Sequence, residues 1–288
     1  MEEKDYELLR ILKETRNITR TAEEMYITQS ALSKRIRKIE EELGIDLLIR
    51  SRTGAVFTPE GEIVAEYCLK AEKEMNTMRN MLDSLSGEVS GTLRVGLSMN
   101  YALFILPQLL VSFCKKYPRV NLDVTSKQSR ELYGELVSGD LDLGVLRGEF
   151  AWDGPKYALA EERLCVICSE QNKDLPLDMQ MYIERESDVM QIAMIKRWLR
   201  EQGIPRPTSR LHTDSIISCV QMVENGLGWA IVPEIALKDF HGVKLPCVFD
   251  NGESLVRRSW LMCRSEVVHL PQIQAFIEEV LHFARTSL

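Results

Sequence analysis

Apolar side chains recur at helical spacing in four stretches of the first 85 residues, and each stretch predicts one amphipathic helix. Leu8, Leu9 and Leu12 mark a helix from about Asp5 to Glu14. Ile18, Ala22 and Met25 mark a second, with Asn17 placed to cap it and small Ala22 letting a neighbouring helix approach. Leu32, Ile36, Ile39 and Leu43, at intervals of four, three and four, make the inward stripe of a third helix, capped by Thr28 after a corner at Tyr26 and Ile27. Leu47, Leu48 and Ile49 then read as a short strand, Thr53 and Gly54 as a turn, and Val56 and Phe57 as the return strand. Three helices and a hairpin in this order predict a winged helix-turn-helix.

The fourth stretch runs from Pro59 to about Leu85. Ala71, Met75, Met78, Leu82 and Leu85 repeat at four, three, four and three, preceded by Val64 and Tyr67, as in a coiled-coil seam. Periodicity alone fits equally a helix lying on its own domain. Its position between a small head and a separate body, ended by SGEVSGT, favours the seam.

From Thr92 onward strands and helices alternate, the pattern of an α/β domain with a mostly parallel sheet. Strands are predicted over residues 92–97, 121–126, 140–146, 163–169, 228–233 and 259–264. Helices are predicted over 103–116, 129–138, 189–203, 215–228 and 271–285. The whole is an α+β multidomain chain: a winged head, a long linker helix and a C-terminal α/β body.

Chemistry enters with the third helix. Opposite its apolar stripe stand Ser30, Lys34 and Arg37, flanked by Ser33 and Lys38; no acidic side chain occurs from Thr28 to Ile39, and Glu40, Glu41 and Glu42 follow in the last turn. A cationic helical face is commonly just a solvated one. The preceding helix and corner change that balance, because together they are the unit that sets a helix into a major groove of duplex DNA. The candidate DNA-contacting residues are Thr28, Gln29, Ser30, Ser33, Lys34, Arg35, Arg37 and Lys38, with Arg50, Arg52 and Thr53 on the wing. The formal net charge of −7 opposes nucleic acid in bulk, so affinity depends on local placement and on presentation in duplicate.

Other classes find little support. There is no Gly-x-Ser-x-Gly elbow, phosphate loop, His-Glu-x-x-His or Gly-x-Gly-x-x-Gly after a strand, so no catalytic residue or cofactor is expected. Seven scattered cysteines do not resemble a secreted disulfide framework, and Cys165 and Cys168, three apart in a strand, point to opposite faces. The four histidines show no ligand spacing, and no metal is expected. No stretch suits an export signal or a membrane span, and a cytoplasmic location is expected.

The head resembles the LysR-type family of bacterial transcriptional regulators. The matching positions are Ala22, Ile27-Thr28-Gln29-Ser30-Ala31, Ser33, Ile36, Glu40, Leu43-Gly44, Arg50 and Thr58-Pro59-Glu60-Gly61. Leu48 stands where the family usually has Phe, and Thr21 where it usually has a second Ala. VSGDLDLGV and VENGLGWAIVP are similar to stretches of the family's effector-binding domain. The resemblance implies residues 1–58 as the DNA-binding domain, 59–90 as linker and dimerisation helix, and 91–288 as a two-lobed domain of the periplasmic-binding-protein type. Lobe I would comprise about 91–160 and 266–288, and lobe II about 161–265. It further implies a homodimer paired through the linker helix, a pseudo-palindromic double-stranded operator, a small-molecule effector and contact with the transcription machinery. Pairing of two dimers into a tetramer is common among similar proteins. The segment between Cys168 and Asp188 is shorter and more polar than the family's.

The candidate effector residues follow from strand ends plus this resemblance. Ser98, Met99, Asn100 and Tyr101 follow the first strand of the body; Lys127, Gln128 and Ser129 open the next helix; Arg147 follows the DLDLGVL strand and Thr213 precedes a helix. Each is equally explained as an ordinary cap or loop polar residue. Together they suggest a small carboxylate or another anion. The competing classes are a solute-binding module and an enzyme of the same fold with an appended head.

Overall fold

Side-chain caps decide where the helices of the head begin. In a computed structural model of the protein, which describes residues 1–51, 54–84, 88–185, 187–204 and 209–287, helix α1 (Glu3–Thr15) closes with Arg16 in a left-handed conformation at φ 50°. Helix α2 (Ile18–Glu24) starts where the Asn17 side chain accepts the Thr19 and Arg20 amides at 2.9 and 3.1 Å. Thr28 does the same for helix α3 (Gln29–Leu43), accepting the Ala31 amide at 3.2 Å. Between them Tyr26 takes the corner at φ 54°, a left-handed conformation that few side chains adopt. Thr21 is wholly buried, and its hydroxyl bonds the Asn17 carbonyl and Thr15, so a hydroxyl fits where a methyl would otherwise stand.

Leu32, Ile36 and Ile39 of α3 pack with Leu8, Leu9 and Leu12 of α1, each burial contributing about 1.5–3 kcal/mol. Leu43 departs from the predicted stripe. It is 41% exposed, because the chain leaves the helix there through Gly44 at φ 69°. The wing is the antiparallel pair β1 (Leu48–Ser51) and β2 (Gly54–Phe57), in register Leu48 to Phe57 and Arg50 to Ala55.

Helix α4 (Pro59–Ser84) follows at once, and the Thr58-x-x-Gly61 element is its starting clamp. The Thr58 hydroxyl donates to the Asp46 carbonyl at 2.6 Å and accepts the Gly61 amide at 2.9 Å. Gly61 packs so tightly that an added Cβ would lie 2.2 Å from the Leu47 carbonyl oxygen. Ala65 and Cys68 turn toward the head core, and ion pairs from Arg10 to Glu72, Lys13 to Glu62 and Arg79 to Glu3 hold α4 along α1. The other side keeps Ile63, Tyr67, Met75, Met78 and Leu82 exposed. Val64 is half-buried against the head instead of joining that row, and Leu85 lies outside the described residues.

The body divides from the head as a separate unit, the two being Met1–Ser86 and Gly87–Leu288. Its strands β3 (Gly91–Ser98), β4 (Val120–Lys127) and β5 (Leu143–Arg147) run parallel, with β3 central. Helices α5 (Met99–Phe104), α6 (Leu106–Lys116) and α7 (Ser129–Ser138) connect them. A single helix over 103–116 was expected. The structure instead breaks at Ile105, and Pro107, whose ring is tolerated only in a first turn, opens the second helix.

Strand β6 (Lys156–Cys168) is far longer than the predicted 163–169. Its first half pairs with β11 (Val256–Cys263), and its second half pairs with β9 (Trp229–Pro233) and β10 (Val243–Pro246). Beyond β9 lie β7 (Tyr182–Arg185) and β8 (Ser209–Thr213), both absent from the sequence expectation and both short. Helices α8 (Val189–Glu201) and α9 (Ile216–Glu224) cover opposite faces of this part, and α10 (Pro271–Ser287) returns to the β3 side. Residues 259–263, placed by sequence in lobe II, pair with 147–143 of β5, so β11 belongs to the lobe I sheet and the return crossing lies near residue 256. Cys165 and Cys168 sit in different apolar clusters on the two sides of β6.

Candidate DNA interface and effector cleft

The outer face of α3 is built by subtraction. Leu32, Ile36 and Ile39 fix which side faces inward, which leaves Gln29, Ser30, Lys34, Arg37 and Lys38 exposed, with Thr28 exposed at the cap and Ser33 half-buried. Thr28 and Ser30 share a hydroxyl hydrogen bond at 3.0 Å, and Gln29 Nε2 reaches Ser33 Oγ at 3.5 Å. Among the described residues Lys34 and Arg37 make no ion pair; Lys38 pairs loosely with Glu42 at 3.7 Å. Arg35 behaves differently from its neighbours. Its Nε donates to Asp5 at 2.6 Å and its Nη2 to Glu2 at 2.7 Å, which turns the guanidinium onto α1.

The acidic end of the helix is spent within the head. Glu40 accepts the Leu47 amide at 3.0 Å, and Glu42 accepts the terminal ammonium of Met1 at 2.8 Å, a hydrogen bond and charge that hold the Glu42 carboxyl below its ordinary range. Arg50 lies in β1, directly opposite Ala55; Arg52 and Thr53 lie outside the described residues.

In the body, the predicted effector residues gather unevenly. Ser98 ends β3 and is buried; Tyr101, in α5, is wholly buried, and burial pushes its phenol up to about 12. Met99 is exposed and Asn100 half-buried at the start of α5. Lys127 ends β4 opposite Ser98, but its ammonium is engaged by Glu135 of α7. Gln128 takes the exposed cap position of α7, and Ser129 is buried with its hydroxyl accepting the Arg147 amide at 2.9 Å. Thr213, opposite Arg185 at the ends of β8 and β7, accepts the Ser215 amide at 3.2 Å.

Arg147 is the centre of this region, only 1% exposed and paired with Glu162 of β6. Burial pushes its guanidinium down to about 10, Glu162 opposes that, and Arg257 and Arg185 add to it. Arg257 donates to Asp188 at 2.9 Å, and Asp188 in turn caps α8 through the Gln191 amide at 2.8 Å. A Cβ on Gly148, just past β5, would lie 3.7 Å from Asp188 Oδ2, so lobe I and lobe II meet at this carboxylate. The polar residues around Arg147 that the sequence expectation did not include are Glu162, Arg185, Asp188, Gln191, Arg257 and Ser259. The one signal available was the alternation of Arg257 and Ser259 in a strand whose other side holds Trp260.

Residues 4–62 match the bacterial regulatory helix-turn-helix protein, lysR family, and residues 86–285 match the LysR substrate binding domain. The chain belongs to the LysR family of bacterial regulators. Among LysR relatives, the uncharacterized HTH-type transcriptional regulator YraN of Bacillus subtilis (strain 168) is 33% identical over 279 residues, covering 96% of each chain. The HTH-type transcriptional regulator EstR of Acinetobacter baylyi (strain ATCC 33305 / BD413 / ADP1) is 30% identical over 78% of this chain and 77% of its own. In fold, the full-length LysR regulator CbnR complexed with its target DNA superposes with a TM-score of 0.67 at 18% identity, over 98% of this chain and 99% of that one. As a LysR-type regulator the protein is a DNA-binding transcriptional regulator with an effector-binding domain, and the reading as a solute-binding module or enzyme gives way to it. Among the described residues no helix is long and apolar enough to cross a membrane.

Proposed function

We propose that the protein regulates transcription as a homodimer that sets two copies of α3 into major grooves of a pseudo-palindromic operator, under control of a small effector held between lobes I and II. The observation that carries the DNA half is the contrast within α3: Arg35 is tied to Asp5 and Glu2, whereas Lys34 and Arg37 stand exposed on the outer face. Gln29, Ser30 and Ser33 near the N-terminal end read base edges, Lys34, Arg37 and Lys38 meet bases or phosphates, and the wing carrying Arg50 rests on the backbone. Arg35 serves the head's own structure.

The dimer is supported by the exposed row Ile63, Tyr67, Met75, Met78 and Leu82 on the side of α4 facing away from α1. The cleft is supported by buried polar groups contributed from both lobes. It has a binding role, with no turnover, and the protein works in the cytoplasm. An effector shifts the regulator only by as much as it prefers one arrangement of the lobes to the other.

Fluorescence anisotropy with DNA from the region upstream of the chain's own gene tests this reading. Saturable binding that discriminates against scrambled DNA and is lost on removing residues 1–58 supports it. Binding indifferent to sequence, or turnover of a cleft ligand, overturns it.

A further inference from the structure

Helices α2, α7, α8 and α9 close with one hydrogen-bond motif, in which a terminal residue turns left-handed and its amide and the next one bond back to two carbonyls of the last turn. In α7, α8 and α9 the left-handed residue is Gly139, Gly203 and Gly226, at φ 77°, 74° and 83°. In α2 it is Tyr26 at φ 54°, with its amide on the Glu23 carbonyl at 3.1 Å and the Ile27 amide on the Ala22 carbonyl at 3.0 Å. A side chain in this conformation lowers stability, because its Cβ crowds the following carbonyl where glycine has none. Nothing inside the chain offsets that cost. Tyr26 is 96% exposed, and among the described residues its ring and hydroxyl make no hydrogen bond, ring contact or cation contact. Arg16, the other left-handed side chain among the described residues, differs: its carbonyl accepts the Ala55 amide at 3.1 Å and ties the end of α1 to the wing. Tyr26 stands instead two residues before the Thr28 cap, beside the end of α3 where Thr28, Gln29 and Ser30 are exposed. No residue from 25 to 39 is acidic. Glu24, just before this stretch, pairs with Arg20 at 3.2 Å, while Glu23 has no ion pair among the described residues.

We infer that Tyr26 is a further DNA-contacting residue, its hydroxyl donating to a backbone phosphate at the edge of the groove that α3 enters. The inference rests on the reading of α3 as the helix set into the groove, and adds to it a residue of the preceding corner. Tyrosine hydroxyls are among the groups that position a protein on the phosphate backbone without reading sequence. A hydroxyl also suits this corner better than a cation. A lysine here would be drawn to the unpaired Glu23, whereas an uncharged donor keeps its proton for an acceptor outside the chain. The corner thus keeps a residue that is wrong for the turn and right for what lies beyond it.

Calorimetric unfolding and anisotropy titrations of the full-length protein test this in Tyr26→Gly and Tyr26→Phe, with a duplex from upstream of the chain's own gene and a scrambled duplex. Tyr26→Gly suits the left-handed turn, so its unfolding midpoint should equal or exceed the parent's. Its affinity should nevertheless fall about tenfold on both duplexes, the effect of one hydrogen bond to a charged oxygen. Tyr26→Phe keeps the ring and should lose as much. The salt slope should stay that of the parent protein, since a neutral donor displaces no counterion, which separates this contact from a lysine's. Parent-like affinity in either variant, a loss confined to the gene-derived duplex, or a changed salt slope overturns the inference. So does a lowered midpoint in Tyr26→Gly, which would make the tyrosine a structural part of the turn. A parent protein that binds both duplexes equally, with both variants weakened, leaves the contact standing and sinks the reading of α3 as a sequence reader. A discriminating parent beside variants of equal affinity has the opposite meaning.

Discussion

Arg35 Nε meets Asp5 Oδ1 at 2.6 Å across thirty residues of chain, joining the recognition helix to the first helix of the head. The partners are unequal, the Asp5 side chain being 4% exposed and that of Arg35 30%. Burial pushes the Asp5 carboxyl up, but hydrogen bonds from Arg35 and the Glu2 amide, with the Arg35 charge, outweigh it and hold the carboxyl below its ordinary range. A carboxyl depressed on folding contributes stability that is complete above its unfolded pKa, about 3.9, and is lost as pH falls through the folded value. Asp5→Asn should therefore lower the unfolding midpoint at neutral pH and converge with the parent protein in strong acid. A gap that persists unchanged across an acid titration would show that the pair contributes no such linkage.

Arg35 and Arg37 should separate cleanly as variants. Arg35→Ala should cost about 1–3 kcal/mol of stability by removing a charged partner from Asp5. Arg37→Ala should leave the unfolding midpoint unchanged and weaken operator binding by about 1–3 kcal/mol if it meets a base. Lys34→Ala should weaken binding to all sequences alike and reduce the salt slope by about one. Unfolding curves and anisotropy titrations on the same preparations decide the matter, and equal affinity of Arg37→Ala and the parent protein would move Arg37 off the interface.

Leu82 is 58% exposed on the outer row of α4. Leu82→Glu sets a charge into the proposed seam and should raise the dimer dissociation constant on the order of 100-fold or more. Sedimentation velocity across a concentration series reads this directly. An unchanged mass distribution would place the dimer interface elsewhere.

Gly61 has the tightest role in the head, its missing side chain leaving room for the Leu47 carbonyl. Because the obstacle is backbone, Gly61→Ala cannot be absorbed by a rotamer change and should cost about 1–3 kcal/mol or more. Circular dichroism melts of the variant check this; a midpoint within error of the parent protein would mean that the wing and α4 can separate freely.

The head was legible because its signals are local. Asn17, Thr28 and Gly44 each act on amides or carbonyls within a few residues, and the stripe Leu32, Ile36, Ile39 has one possible inner side. Leu43 was misread because periodicity says nothing of where the chain turns away. In the body, Ser98 and Tyr101 were found at a strand end, but Glu162 and Arg257 meet only through antiparallel register between strands almost a hundred residues apart. Lys127 shows the same limit from the other side: the sequence places it at a strand end, and only the fold brings Glu135 of α7 to it. Strands β7 and β8 escaped because four or five residues carry too few repeats to show a period.

Strand β6 belongs to both lobes, its residues 156–163 hydrogen-bonded to β11 and 164–168 to β9. Its partner β11 makes the return crossing beside it, so the lobes are joined by a two-stranded ribbon and not by a loose tether. A ribbon of paired strands resists stretching and yields most readily to twist. Stiffness is then a property of the paired strands themselves: substitutions at Arg163, Leu164 or Leu255, where the pairing passes from one lobe to the other, should alter how readily one lobe turns against the other. The part that bends is then distinct from the side chains that line the space between the lobes, so the two can change independently of one another.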